Sequence, residues 1–372
     1  MRESQQSIKM GFVMAMVTVL CGLAGCAAPT VKTQVMVPPI HNVSKFRQVA
    51  VADFSAPNGQ EGRGQDISRW IEHGLIKVRH EDGKPFFTLV ARDQLQKVMK
   101  EQGIQNSGLI EPAKAKAIGR ILGVDAIITG NVSAYRVEEA HGTEQRQQFV
   151  PCGGNTQCLQ PVSVPCVQRD AYVLFNVNFI DVQTGAIEVS ESPQAKLQAA
   201  QCQGDAPAEK RISIPGIPEK PMEPLQSAEA MLKKAADQAV EQFVNSITPH
   251  LVEQTVVLKD KVDGGGMLSS GDDGAVNAKL KAGVEYAMSG MWPKAMARWE
   301  EALKLKQACS ACLYNLGYGH EMGGNFPKAL ELYERASSLN STEPLYRDAE
   351  GRIEKRMEDK RKLDEQSKNR KS

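Results

Sequence analysis

This sequence lacks a surplus of charge of either sign. Its 372 residues include 45 lysines and arginines against 44 aspartates and glutamates, so the formal net charge is only +1. No long-range field therefore draws the chain to a polyanion, which excludes nucleic acid as the expected partner. The hydrophobic fraction of 41% is that of a folded protein, and the length suffices for two domains.

The motifs of common catalytic sites are absent as well. The six histidines are scattered, without an H-E-x-x-H pair that could hold zinc on one helix face, and no G-x-S-x-G stretch marks a nucleophilic serine. The glycine-rich stretch 262–275 lacks the lysine and helix spacing of a phosphate-binding loop. Asp53 follows a predicted buried strand and is interpreted as a residue that orders the next turn. The sequence thus predicts no enzyme, no metal site and no cofactor.

The N-terminus is typical of an exported protein. Arg2 and Lys9 precede an apolar run over residues 10–23, which is too short and too near the end for a mature membrane-spanning helix. The run ends in Leu23-Ala24-Gly25-Cys26, which resembles the lipobox of bacterial lipoproteins. This resemblance implies cleavage after residue 25 and a lipid on Cys26; an ordinary secretory signal is the alternative. No acidic residue follows Cys26 directly, which implies anchoring in the outer membrane of a Gram-negative cell, facing the periplasm.

Export makes the remaining cysteines informative, because disulfides persist outside the cytosol. Apart from Cys26 and one cysteine inside the signal, six remain: Cys152, Cys158, Cys166, Cys202, Cys309 and Cys312. Four cluster in an irregular stretch and the last two form a C-x-x-C pair, so disulfides are predicted, with the pairing among the first four left open. Metal binding is the alternative, although no second C-x-x-C or finger-like histidine spacing supports it.

Composition and periodicity divide the chain into successive parts. The parts are a signal peptide (1–25), a proline-containing tether (26–45), an α/β domain with a cysteine-containing insertion (46–261), a Gly/Ser linker (262–275), two helical repeats (276–340) and a capping helix with a charged tail (341–372). Alternation of period 2 marks the strands, and apolar residues at offsets of three and four mark the helices. The linker is assigned from its glycine and serine content.

A 34-residue period is the strongest signal in the second half. Gly290-Met291-Trp292-Pro293-Lys294-Ala295 matches Gly324-Asn325-Phe326-Pro327-Lys328-Ala329 in the same register. The pair resembles two tetratricopeptide repeats, which implies helical hairpins that approach closely at small residues and are filled by aromatic ones. The implied packing residues are Gly283, Ala295, Trp299, Gly317, Ala329 and Tyr333. Two repeats are a marginal stack, so their groove is expected to dock on the first domain, another protomer or a partner peptide.

Ordered motifs in the first domain carry a further resemblance. They are Val49-Ala50-Val51-Ala52-Asp53-Phe54, Thr88 to Leu95, Ile121 to Gly130, and a hairpin turn at Thr184-Gly185. Together they resemble the CsgG family of curli secretion over residues 46–248. The resemblance implies an α/β domain with a mixed sheet flanked by helices, related to lipoproteins that activate penicillin-binding proteins.

The sequence therefore predicts a lipid-anchored scaffold, or an assembly or secretion accessory, that binds envelope proteins or peptides and could form a homo-oligomer. One alternative is a regulator of a peptidoglycan synthase, and a second is an oligomeric secretion channel. A channel strand needs about 9 to 11 residues of alternating apolar and polar character. The candidate insertions 138–169 and 201–225 instead contain three and five prolines.

Overall fold

The computed structural model describes residues 28–57, 60–80, 83–103, 112–154, 156–203, 225–264 and 271–369. The predicted signal peptide and Cys26 lie outside these residues. Within the described ranges, no helix is long and apolar enough to cross a membrane. The chain divides into two compact units. The sheet unit is built on Pro38–His250, and the helical unit combines Leu251–Lys362 with N-terminal residues up to Val37.

The sheet unit contains a mixed sheet with the strand order β3-β2-β4-β5-β6, and β7 also pairs with β5. Its strands are β2 (Gln48–Val51), β3 (Thr88–Leu89), β4 (Ala126–Gly153), β5 (Thr156–Asp181), β6 (Ile187–Glu191) and β7 (Gln194–Cys202). Its helices are α1 (Glu61–Lys77), α2 (Arg92–Glu101), α3 (Pro112–Leu122) and α4 (Ala228–Ile247). β2 runs parallel to β3 and β4, and the other pairings are antiparallel.

Helices cover both faces of this sheet, because successive residues of a strand point to opposite sides. Val49 of β2 packs in one apolar cluster with Ile71 of α1 and Phe243 of α4. Its neighbour Ala50 packs in another cluster with Ile118 of α3. Full burial of a side chain such as Phe243 contributes about 1.5–3 kcal/mol to folding. The predicted α/β architecture, a mixed sheet flanked by helices, is confirmed.

The insertion at residues 138–169 was predicted to be irregular, and that prediction is wrong. β4 and β5 continue through it as one antiparallel ladder, from Ala126 opposite Asp181 to Gly153 opposite Thr156. Prolines are tolerated because β7 pairs with β5 only over Cys166–Leu174, so Pro161 lies on an edge without a neighbour among the described strands. Exposed apolar side chains such as Phe149 and Leu159 occur on the ladder together with cross-strand ion pairs such as Glu139 with Arg169.

The helical unit consists of α5 (Gly271–Met288), α6 (Trp292–Leu305), α7 (Ser310–Met322), α8 (Phe326–Leu339) and the larger part of α9 (Pro344–Asn369), together with β1 (Thr30–Val37) and β8 (His250–Val257). A Cβ on Gly283 would stand 2.2 Å from Nε1 of Trp299, and one on Gly317 would stand 2.6 Å from Cε1 of Tyr333. Equivalent glycine-to-aromatic contacts thus close both hairpins at the 34-residue offset. The matching Ala295 and Ala329, which were also predicted to pack between the helices, are fully buried. That these hairpins are tetratricopeptide repeats stays a prediction.

Three predicted segments have different bounds in the structure. Residues 26–45 were expected to be a tether, yet β1 lies within them and pairs with β8 in a two-stranded sheet. The first domain was expected to reach residue 261, whereas the helical unit already begins at Leu251. The predicted linker 262–275 is shortened too, because α5 begins at Gly271.

Candidate functional site

The most elaborate polar site of the helical unit lies where the chain crosses its own helices. Residues 257–263, here called the strap, follow β8 and contact the first helix of each hairpin and the start of α9. The contacting residues are Asn277 of α5, Ser310, Tyr314 and Asn315 of α7, and Tyr346 of α9. In a stack of repeats, equivalent helices line one continuous surface. The strap lies across the surface that α5, α7 and the start of α9 form, here called the groove.

Two side-chain amides bind the main chain of the strap. Asn315 is fully buried; its Oδ1 accepts the N–H of Lys259 at 3.0 Å, and its Nδ2 donates to the carbonyl of Lys259 at 2.7 Å. Asn277 accepts the N–H of Val262 at 2.8 Å. Contacts of this kind hold a polypeptide through its backbone, which leaves side-chain specificity to neighbouring groups.

The strap carboxylate of Asp263 lies in a ring of donors. Ser310 Oγ donates to it at 2.6 Å, Tyr346 Oη at 2.5 Å and Asn340 Nδ2 at 3.1 Å. Lys259 Nζ lies 3.0 Å from its other oxygen. Burial alone would raise the pKa of Asp263, but the hydrogen bonds from Ser310 and Tyr346 hold that pKa below its ordinary value. The groove therefore binds an ionised carboxylate.

Apolar side chains anchor the strap between these polar contacts. Leu258 and Val262 are buried and belong to the same apolar cluster as the helices. Beneath them, the rings of Tyr314 and Tyr346 lie 5.3 Å apart. The N–H of Leu258 also donates to the carbonyl of Pro29 at 2.8 Å, so the residue before β1 holds the other edge of the strap.

One side of the strap remains open. A depression of about 840 Å³ is bordered by the strap, Pro29, Asn340 and residues 342–345. At its rim, Lys259 Nζ lies 2.7 Å from Glu343. Burial alone would lower the pKa of Lys259, but Glu343 and Asp263 keep it above its ordinary value. The strap is thus accessible to solvent on this side.

A buried ion network fixes the helices below the groove. The Glu321 side chain is fully buried and accepts hydrogen bonds from Tyr333 at 2.7 Å, Arg352 at 3.1 Å and Arg356 at 2.8 Å. Burial would raise the pKa of Glu321, but the positive charge of Arg352 holds it below the ordinary value. Removing one partner of such a pair typically destabilises a protein by about 3–5 kcal/mol. The network therefore ties α7, α8 and α9 together.

Asp53 of the sheet unit has a structural role different from the predicted one. Its buried carboxylate accepts hydrogen bonds from Arg92 and Gln96, both on α2. It therefore ties the end of β2 to this helix rather than ordering the turn that follows. Because both oxygens are bonded to a cation or an amide, this arrangement favours a structural ion pair over a general base.

A serine, a glutamate and a histidine also meet in the sheet unit, in an order that does not suit catalysis. Ser246 Oγ donates to Glu191 at 2.9 Å, and Nε2 of His41 lies 2.7 Å from the other oxygen of the same carboxylate. A nucleophilic serine needs the imidazole as its direct neighbour, to accept the hydroxyl proton. Here the carboxylate stands between the two groups.

The structure places the sulfur atoms of six cysteines at bonding distance in pairs: Cys152 with Cys158, Cys166 with Cys202, and Cys309 with Cys312. The first pair lies near the tip of the β4–β5 ladder, the second joins β5 to β7, and the third lies at the start of α7. Glu144 lies close to the second pair, in the one potential three-ligand metal group of the described residues. Two sulfurs bonded to each other offer no thiolate, so this group does not fit a metal ion.

The strap was missed by the sequence reasoning. At the 34-residue offset, the residue equivalent to Asn315 in the first repeat is Lys281. The repeat pattern therefore does not predict that Asn315 binds the backbone of the strap. The apolar run Val256-Val257-Leu258 was the available signal, since it predicts a buried strand end beyond α4. Nothing local in that run indicates which surface covers it.

Comparisons with known proteins bear on the first two thirds of the chain. The model of a family described as "Curli production assembly/transport component CsgG" matches residues 24–264. The matched stretch includes β1, the sheet unit, β8 and the strap, and it ends before α5 begins at Gly271. Among curated proteins, none matches the chain.

Several solved structures are similar in fold at low sequence identity. The PelC dodecamer from Paraburkholderia phytofirmans is 12% identical with a TM-score of 0.26, covering 58% of this chain and 98% of its own. The LpoB C-terminal domain from Escherichia coli is 18% identical with a TM-score of 0.23, covering 48% and 92%. Lipoprotein GNA1162 from Neisseria meningitidis is 14% identical with a TM-score of 0.24, covering 44% and 88%.

Proposed function

The chain belongs to the CsgG family, and from this premise we propose that it is an accessory lipoprotein of the bacterial envelope that binds other proteins and catalyses no reaction. The family model, which describes a component of curli assembly or transport, matches residues 24–264. The lipobox-like Leu23-Ala24-Gly25-Cys26 supports export and anchoring. In this proposal the sheet unit is the family domain, and the helical unit is a partner-binding module of tetratricopeptide type.

One observation carries the protein-binding role. The groove of the helical unit holds a polypeptide segment by its main chain at Asn315 and by a carboxylate at Ser310, Asn340 and Tyr346. A surface that binds one such segment has the chemistry to bind another of similar pattern. Catalytic groups are not needed for such a role.

The proposed lipid places the helical unit close to the membrane. Pro29 comes three positions after Cys26, and an extended chain spans at most about 3.6 Å per position, so the two lie within about 11 Å. Pro29 borders the strap, and β1 begins at the next residue. We therefore expect the groove to face partners in or near the outer membrane, on its periplasmic side. Labelling with radioactive palmitate tests the anchor: Cys26→Ala should lose the label, and a variant that keeps it would contradict this placement.

A site-specific crosslink tests the binding role. A photoreactive residue at Thr342, which borders the depression, should give a defined crosslinked envelope protein in intact cells. The matched control is Glu334, an exposed residue of α8 that does not border the depression. Crosslinking at both positions alike, or at neither, would contradict partner binding at the groove.

The same experiment separates the finer alternatives. A peptidoglycan synthase as the crosslinked protein would support the regulator, and curli or secretion components would support the assembly accessory. Light scattering on the purified lipoprotein would reveal a ring if the chain forms a channel, and discrete conductance in planar bilayers would support a pore.

A further inference from the structure

We infer that the strap is a built-in ligand of the groove, and that the partner is a peptide of the strap's own pattern, which must displace residues 257–263 to bind. This inference rests on the proposed protein-binding function. The pattern is an apolar residue, a cation, two variable residues, a second apolar residue and an acid, as in Leu258-Lys259-Asp260-Lys261-Val262-Asp263.

Each element of the pattern has a separate receptor in the groove. Leu258 and Val262 enter the apolar cluster. The cation of Lys259 lies 2.7 Å from Glu343 at the rim. The carboxylate of Asp263 accepts from neutral donors on α7, on α9 and at the end of α8. Because these receptors belong to the helices and to the turn between α8 and α9, they remain available to another segment when the strap leaves.

The main-chain contacts of the groove lie on either side of the two middle positions of the pattern, Asp260 and Lys261. Asn315 and Asn277 bind backbone atoms of Lys259 and Val262, which every peptide except one with proline there would present. Lys261 is exposed, and the described groove residues donate no hydrogen bond to Asp260. The specificity therefore lies in the two apolar residues, the cation and the acid.

The open side of the strap gives an incoming peptide a place to begin. The depression of about 840 Å³ runs along the strap and includes Asn340 and Glu343, two of the groups that hold it. Lys259 and Glu343 keep 22% and 28% of their side-chain surface exposed, so a competing cation reaches Glu343 first. The Asp263 pocket is more enclosed and would exchange afterwards.

Tethering keeps the strap bound in the absence of a partner. The strap is joined covalently to β8 on one side and, through residues 264–270, to α5 on the other. A tethered segment acts at an effective concentration of about millimolar, so a free peptide of equal intrinsic affinity competes poorly with it. Weakening the strap without changing the groove should therefore raise peptide affinity.

A peptide-binding experiment on the full chain tests this. The probe is a fluorescent peptide with the sequence of residues 255–264, and the chain variants are Asp263→Asn and the matched control Asp260→Asn. We expect Asp263→Asn to bind the probe at least about tenfold more tightly than wild type, and Asp260→Asn to match wild type. Adding Asn315→Ala to Asp263→Asn should abolish binding, and a probe with Ala in place of its final acid should bind weakly. Equal binding to wild type and to a folded Asp263→Asn chain would overturn the inference.

Hydrogen exchange keeps the inference testable if Asp263→Asn does not fold. In the wild-type chain, the amides of Lys259 and Val262 should exchange by local opening, at least about tenfold faster than the core amides of α7. Exchange of both sets at the same rate, by global unfolding, would mean that the strap is part of the core and not a displaceable ligand. If Thr342 crosslinks an envelope protein equally well in wild type and in Asp263→Asn, the groove binds a partner but the strap is not its competitor. If the peptide binds as expected but no envelope protein is crosslinked, the strap is displaceable but the proposed partner binding is contradicted.

Discussion

Replacing Asn315 by leucine should destabilise the helical unit. Leucine has a similar size but removes both hydrogen bonds to the backbone of Lys259, which measure 3.0 and 2.7 Å. A buried backbone group without a partner costs about 1–3 kcal/mol, and two such groups are left here. Because Lys259 is only partly buried, water reaches part of the lost contact, and we expect a total near 3 kcal/mol.

Urea unfolding measures this loss. In a Trp70→Phe background, fluorescence reports on the helical unit through its tryptophans, Trp292 and Trp299. With a denaturant slope of about 2 kcal/mol per molar, 3 kcal/mol lowers the midpoint by about 1.5 M. The matched control is Lys281→Leu, the exposed equivalent 34 residues earlier, which should change the unfolding free energy by less than about 0.5 kcal/mol. Equal midpoints for the two variants would refute the view that Asn315 holds the strap.

Three further predictions concern packing, pH and disulfides. Gly317→Ala should destabilise the helical unit by about 1–3 kcal/mol in thermal unfolding, since its Cβ would meet the facing aromatic ring at 2.6 Å; Gly351→Ala, which meets nothing within 4 Å, should be neutral or stabilising. The lowered pKa of Asp263 means that its contribution is complete above its ordinary pKa of about 4 and is lost as the pH falls through the lowered value. Wild type should therefore lose more stability between pH 6 and 3 than Asp263→Asn, and parallel losses would contradict the assignment. Replacing Cys166 and Cys202 by serine opens a link across 36 residues and should cost the sheet unit about 2–4 kcal/mol in urea unfolding; an unchanged midpoint would show that the link does not form.

Elements with strong local signals could be predicted from the sequence. Pro112 begins α3, as expected of a residue whose missing N–H is not needed in the first turn. Ser227 caps α4 by accepting the N–H of Ala230. The repeat offset made Gly317 equivalent to Gly283 and Tyr333 equivalent to Trp299, and both pairs are in contact, as the tetratricopeptide resemblance implies.

Elements that form by pairing with residues distant in sequence could not be predicted. β1 pairs with β8, more than 200 residues later, and its flanking prolines made it resemble a tether. The prolines of β5 predict a break only if the strand has a neighbour on both sides, and the sequence does not reveal that no described strand pairs with the outer edge at Pro161. The strap could not be predicted either, because the residue that binds it, Asn315, is distant in sequence and differs from the equivalent Lys281 of the first repeat.

A displaceable strap requires a groove that keeps its shape when it is empty. The rings of Tyr314 and Tyr333 lie 5.7 Å apart and pack against each other beneath the strap, not through it. Glu321 joins three helices through Tyr333, Arg352 and Arg356, and none of its bonds involves the strap. These contacts between the helices are thus distinct from the contacts that hold the strap. An emptied groove would expose Asn315 and the donors of the Asp263 pocket to water or to a new ligand, while the floor beneath them stays in place. This separation is what allows one polypeptide segment to replace another without unfolding the unit.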